Sequence, residues 1–132
     1  MNAPLRRELR DLALVAGGAI PGALLRWQLE LVAKLHGGSL RAITAADLLA
    51  NLIGCLLIGM LLAQPPRRAR LYLWGGIGFC GSLTTFSSWM LELVRAMENG
   101  QPLDALLVLA VSLVGGLALV QLGFSLARRR WC

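Results

Sequence analysis

The sequence predicts an all-α integral membrane protein: four transmembrane helices, the third broken in mid-membrane. Three observations carry that prediction. Of the 132 residues 57% are apolar, and the mean hydropathy of +0.67 is well above that of soluble domains. Four apolar stretches, about 12–35, 45–63, 71–97 and 103–127, each reach the roughly 20 residues that cross a bilayer. The third contains Gly78 to Trp89, G-F-C-G-S-L-T-T-F-S-S-W, with two glycines, five hydroxyl side chains and no charge. Glycine is a poor helix former, and Ser or Thr competes with the backbone for hydrogen bonds. Irregular chain at membrane depth survives only where protein buries it or where it lines a wet cavity. This run therefore marks the place where something polar crosses or binds.

The chain reads as one domain, residues 1–132, because the four spans leave no room for a soluble one. Its N-terminal apolar run is too long for a cleavable signal peptide and lacks a small-residue cleavage site. In span one, Gly18 and Gly22 stand at the spacing that lets helices approach closely. Pro21 between them is expected to kink the helix or loosen a turn. Arg26, several residues inside the end of this span, has three readings: it snorkels to the interface, lines a water-filled vestibule, or pairs with Glu30 one turn on. His36 to Ser39, with Gly37 and Gly38, reads as a turn, and His36 has no ligand partner at a useful spacing.

Span two holds Asn51, whose amide either bonds a neighbouring helix or faces a polar pathway. Gln64, Pro65 and Pro66 end it, and an arginine cluster follows. Span four starts at Pro102, and Ser112, Gly115, Gly116 and Gln121 interrupt its aliphatic run. Cys55, Cys80 and Cys132 fit no disulfide or zinc pattern and read as small apolar fillers plus a terminal thiol.

The net charge of +6 is unevenly distributed. With four spans, one side carries Arg6, Arg7, Arg10, Arg67, Arg68, Arg70, Arg128, Arg129 and Arg130, and the other carries Lys34, Arg41 and Arg95. Both termini are then cytoplasmic. The basic clusters set topology and meet lipid headgroups, with no nucleic-acid partner implied. The acids Glu8, Asp11, Glu30, Asp47, Glu92, Glu98 and Asp104 lie mostly near span ends. A pathway with hydroxyls, an amide and rings but no central carboxylate suits a small anion, since O–H and amide N–H donors replace its water. Phe86 and Trp89 share a helix face; the pair is either core packing or an edge-on anion contact.

The run Gly81-Ser82-Leu83-Thr84-Thr85-Phe86-Ser87 resembles the G-G-L-T-T-F-S-T-F-S signature of the Fluc, or CrcB, family of fluoride channels. N-L-I-G-C-L-L-I-G-M from Asn51 to Met60 is similar to the family's N-x-x-G segment, and G-G-A-I-P-G-A-L-L-R-W in span one to its G-G-x-x-G-A-x-x-R-W. The resemblance implies an antiparallel dimer in the bacterial plasma (inner) membrane that exports fluoride passively and lowers cytoplasmic fluoride. It implies a structural sodium ion at the dimer centre, held by backbone carbonyls at positions matching Gly81 and Thr84. It matches the fluoride pathway to Asn51, Thr85, Phe86, Ser88, Trp89 and Ser112, and a vestibule residue to Arg26.

The chain departs from the family pattern at several positions. Trp89 stands in place of a second phenylalanine, Ser82 in place of a second glycine, and Asp47 where threonine is common. Val108 and Gly116 match an expected tyrosine and second serine. Asp47 puts an acid near the presumed anion path, where it repels fluoride unless paired or protonated. Ser82 is expected to stiffen the break.

An antiparallel homodimer needs each chain to insert both ways, whereas nine basic residues against three predict one orientation and a heterodimer with an oppositely oriented paralogue. The competing view is dual insertion despite the bias, with Arg6 and Arg7 too far from the span to count. Two other functions compete. A small four-helix drug or cation exporter needs an acid deep in span one, where Glu30 is near the end. A non-transport scaffold would use its small residues only for packing. An enzyme is not expected, since no nucleophile with a base partner or metal-ligand cluster is present.

Overall fold

A computed structural model describes residues 3–35 and 40–131, and all of its regular structure is helical. The expected turn at His36–Ser39 and the terminal Cys132 lie outside the described residues. Helix α1 spans Ala3–Leu35 and α2 spans Leu40–Leu62. A single 3₁₀ turn, Pro66–Arg68, leads into α3, Ala69–Leu71. The chain then widens into a π-helical segment, Tyr72–Cys80, tightens into α4, Gly81–Leu83, and leaves helix. It resumes as α5, Ser87–Glu98, and after Gly100 continues as α6, Pro102–Trp131.

Three of these helices are long and apolar enough to cross a membrane: Pro4–Leu35, Ala45–Leu62 and Pro102–Arg129. The protein is therefore a multi-pass membrane protein. Most of its large apolar side chains face outward, among them Leu12, Ile20, Leu103, Val114 and Leu117. That arrangement is ruinous in water and normal in lipid, whose tails are as apolar as leucine. Helix α1 begins well before residue 12, because Leu5 to Asp11 add two charged turns ahead of the apolar run. Helix α1 also continues through Pro21 without interruption.

Backbone-to-backbone packing fixes the arrangement. A Cβ on Gly18 would collide with the Trp74 carbonyl, and one on Gly78 with the Val15 carbonyl, so α1 and the π-helical segment can come this close only because these positions are glycine. The same holds between α2 and α6: a Cβ on Gly59 would strike the Val120 carbonyl, and one on Gly123 the Leu56 carbonyl. Lipid supplies no hydrophobic drive between helices, so such close approach is what holds them. Ser82 adds a polar tie: its hydroxyl is 2.9 Å from the Ala19 carbonyl of α1 and 3.1 Å from Phe79 O.

The π-helical segment was not foreseen. Its wide turns are visible in the Gly81 N–H, which reaches back five residues to the Gly76 carbonyl. Rare π geometry concentrates at functional sites, and here it delivers the chain to the interruption at Thr84.

Candidate functional site

The interruption is built by side chains. Thr84 takes an extended conformation, φ −80° and ψ 155°. Both its N–H (3.0 Å) and its hydroxyl (2.9 Å) donate to the Cys80 carbonyl, closing the last turn. On the far side, the Ser88 N–H donates to the Thr85 hydroxyl oxygen at 3.3 Å, taking a side chain where a continuous helix would offer the Thr84 carbonyl. That carbonyl is left outside the helical ladder.

Asn51 of α2 grips the unwound segment. Its Nδ2 donates to the Thr85 carbonyl at 3.0 Å, and its Oδ1 accepts from the Thr85 N–H at 2.8 Å. Both backbone polar groups of Thr85, its N–H and its C=O, are thereby satisfied. The second Nδ2 hydrogen is left over, since a carboxamide carries two.

A groove of about 410 Å³ opens at this point. Asn51, Gly81, Thr84, Thr85, Phe86, Trp89 and Ser112 all line it, with Gly54, Cys55, Ile58, Gly76, Cys80 and Leu113 completing the wall. Phe86 is 71% exposed in the single chain, while Trp89 is 9% exposed. Their ring centroids are 5.8 Å apart and tilted by 47°. The Trp89 indole N–H donates to Ser112 Oγ at 3.0 Å, and Ser112 passes its own hydrogen to the Val108 carbonyl at 2.7 Å. Ser112 therefore has no free proton to offer a ligand in this state. Thr85 is different: its oxygen accepts from Ser88 N–H, and its hydroxyl hydrogen is available.

Arg26 and Ser88 sit together in a second cluster. From α1, Arg26 Nε donates to Glu30 Oε1 at 3.0 Å, and Nη2 reaches both Ser88 Oγ at 2.9 Å and Asp47 Oδ1 at 3.4 Å. Asp47 is only 2% exposed, so its carboxylate has exchanged water for a guanidinium. Of the readings open for Arg26, the Glu30 pair is present; the Asp47 pair is additional. The Ser88–Thr85 hydrogen bond joins this cluster to the groove.

The candidate residues are thus gathered at two connected places. Sequence reasoning missed that Asp47 is the partner of Arg26. Two opposite charges on neighbouring spans were the available signal, since charges inside membrane helices generally pair.

Long apolar helices, glycine-mediated packing and a polar groove opened at a helix interruption define a small multi-pass membrane protein built around uncharged hydrogen-bonding groups. The chain belongs to the CrcB family: residues 13–124 match the family described as CrcB-like protein, Camphor Resistance (CrcB). It is 49% identical over 127 residues to a protein of Parasynechococcus marenigrum (strain WH8102) named fluoride-specific ion channel FluC 2, covering 95% of this chain and 86% of that one. Identity is 42% over 121 residues, 89% and 96% of the two chains, to the fluoride-specific ion channel FluC of Pseudomonas putida (strain KT2440). To the protein of the same name from Prosthecochloris aestuarii it is 38% over 130 residues, 94% and 98%.

Proposed function

We propose that this protein is a fluoride-selective channel that lets fluoride leave the cell passively and so lowers cytoplasmic fluoride. The observation that carries this reading is the groove, where an amide, a hydroxyl and an exposed ring converge on an unwound segment. The names of the relatives agree with it. Fluoride holds its water tightly, so a pathway must return hydrogen bonds to it, each worth about 1.5–3 kcal/mol net when one partner is charged. The second Asn51 N–H and the Thr85 and Ser88 hydroxyls supply donors. Phe86, outward-facing, presents a ring whose edge is positive. The pairing of Glu30 and Asp47 with Arg26 weighs against a cation exporter driven by a free acid in span one.

In this reading the stretch 69–98 is a fourth crossing made of two half-helices, with the Thr84–Phe86 interruption in mid-membrane. The working unit is an antiparallel dimer in the bacterial inner membrane, of two copies or of this chain with an oppositely oriented paralogue. A sodium ion at the dimer centre belongs to the same proposal. Among the described residues no group of three His, Cys, Asp or Glu side chains converges, so its donors would be backbone carbonyls. Thr84 fits, because its carbonyl is outside the helical ladder. Gly81 fits because its surroundings are open: an added Cβ would meet nothing nearer than the Gly76 carbonyl at 4.0 Å. Oxygen-only donors suit a hard cation, and the bound ion would supply a fixed positive charge where two chains meet.

Expression in a bacterial strain stripped of its own fluoride export tests the function in cells. Growth restored on fluoride by the intact chain, and not by Asn51→Asp made to the same level, is expected. Full-length protein in the membrane with no protection, alone or beside an oppositely oriented paralogue, would refute the reading.

A further inference from the structure

The Arg26 guanidinium has the position of an anion attractor. It lies 2.9 Å from the oxygen of Ser88, one of the hydroxyls that the proposed function uses, and by itself would concentrate anions there. Two carboxylates meet it, however: Glu30 at 3.0 Å and Asp47 at 3.4 Å. With both ionised, the cluster carries one negative charge in excess. Glu30 is one helical turn from Arg26 and about as accessible, with side chains 29% and 19% exposed. Asp47 comes from another helix, and its side chain is 3% exposed. It is held beneath the guanidinium, at low effective dielectric, where a charge pair interacts most strongly.

We propose that Asp47, added to Glu30, over-compensates the charge of Arg26, so that fluoride reaches the Ser88 hydroxyl against a net negative field and Asp47 sets the access rate of this channel. This inference rests on the fluoride-channel reading. Its physical content is a charge count. Removing the Asp47 charge alone brings the cluster to neutrality, whereas removing the Arg26 and Asp47 charges together restores the original excess of one.

The test is the initial fluoride efflux rate from liposomes holding the full-length protein, in impermeant salt at about 0.01 M and about 1 M, where charges act over about 30 Å and about 3 Å. Asp47→Asn is expected to raise the low-salt rate roughly threefold or more and to match the unmodified protein at high salt. The double variant Arg26→Gln with Asp47→Asn is expected to return to the original salt dependence. A strut without an electrostatic role would give a change that persists at high salt, and that outcome overturns the proposal. So does an unchanged low-salt rate, or a double variant that stays elevated. If Asp47→Asn does not assemble, Asp47→Thr removes the same charge at the same position and must show the same salt-dependent gain; its absence overturns the proposal equally. Unmodified protein that passes no fluoride, alone or with an oppositely oriented paralogue, sinks the channel reading and this inference with it. Fluoride passage without the salt-dependent gain sinks this inference alone.

Discussion

Asn51 and Thr85 pair as two strands of a sheet would, amide to peptide, with Nδ2 to the Thr85 carbonyl at 3.0 Å and Oδ1 from the Thr85 N–H at 2.8 Å. One side chain thereby satisfies both backbone groups of Thr85. Asn51→Ala should leave both backbone groups of Thr85 without their partner and cost about 1–3 kcal/mol, seen as a lower melting temperature in detergent together with lost fluoride flux. Asn51→Asp keeps an acceptor for the Thr85 N–H but loses the donor and adds a negative charge to the groove. Its flux should fall about tenfold or more, equivalent to at least about 1.4 kcal/mol of barrier, and a flux equal to the unmodified protein's would contradict the role.

Trp89 and Ser112 form a second pair, 3.0 Å apart. Ser112→Ala leaves a buried indole N–H without its acceptor and should destabilise by about 1–3 kcal/mol. Trp89→Phe removes the donor instead and should cost less. The double variant is expected to recover most of the Ser112→Ala loss, because replacing both partners by apolar groups is close to neutral. Thermal denaturation of all four proteins measures the coupling, and strict additivity would show that the bond contributes nothing.

Glycine positions separate sharply by what an added methyl meets. Gly59→Ala drives Cβ into the Val120 backbone, which cannot yield, and should prevent assembly of α2 against α6. Gly115→Ala meets only the Leu52 side chain, at 3.4 Å, and should fold normally. Monodispersity on size-exclusion chromatography reports both, and equal behaviour would show that the close approach is not what holds these helices.

Orientation follows from charge. Nine basic residues on the side of the termini against three on the other should fix both termini in the cytoplasm. Reporters fused to the C-terminus, one active only inside and one only outside, are expected to signal inside alone. Equal signal from both would establish dual insertion and remove the reason for a paralogous partner.

Much of this was legible in the sequence because it was written locally. The hydroxyl-rich run around Thr84 and Thr85 is a poor helix former and is where helix stops. Gly18 and Gly22 advertise close packing by their spacing, and both meet backbone of the third stretch, 71–97. What stayed hidden depends on partners far along the chain. Asp47 and Ser88 are 21 and 62 residues from Arg26, and the two opposite charges show only that a partner is needed, not which residues meet. Ser112 was a plausible donor by type, but its hydrogen is committed to Val108, a matter of geometry. The π-helical segment likewise depends on how Gly75, Gly76 and Gly78 pack, each of them buried in the fold.

Fluoride conduction by this chain is read out by fluoride efflux from liposomes containing it alone, followed by a fluoride electrode beside a chloride control. Fast fluoride release with chloride retained is the predicted result. Folded protein that releases neither ion, alone or with an oppositely oriented paralogue, or that releases both equally, would contradict it.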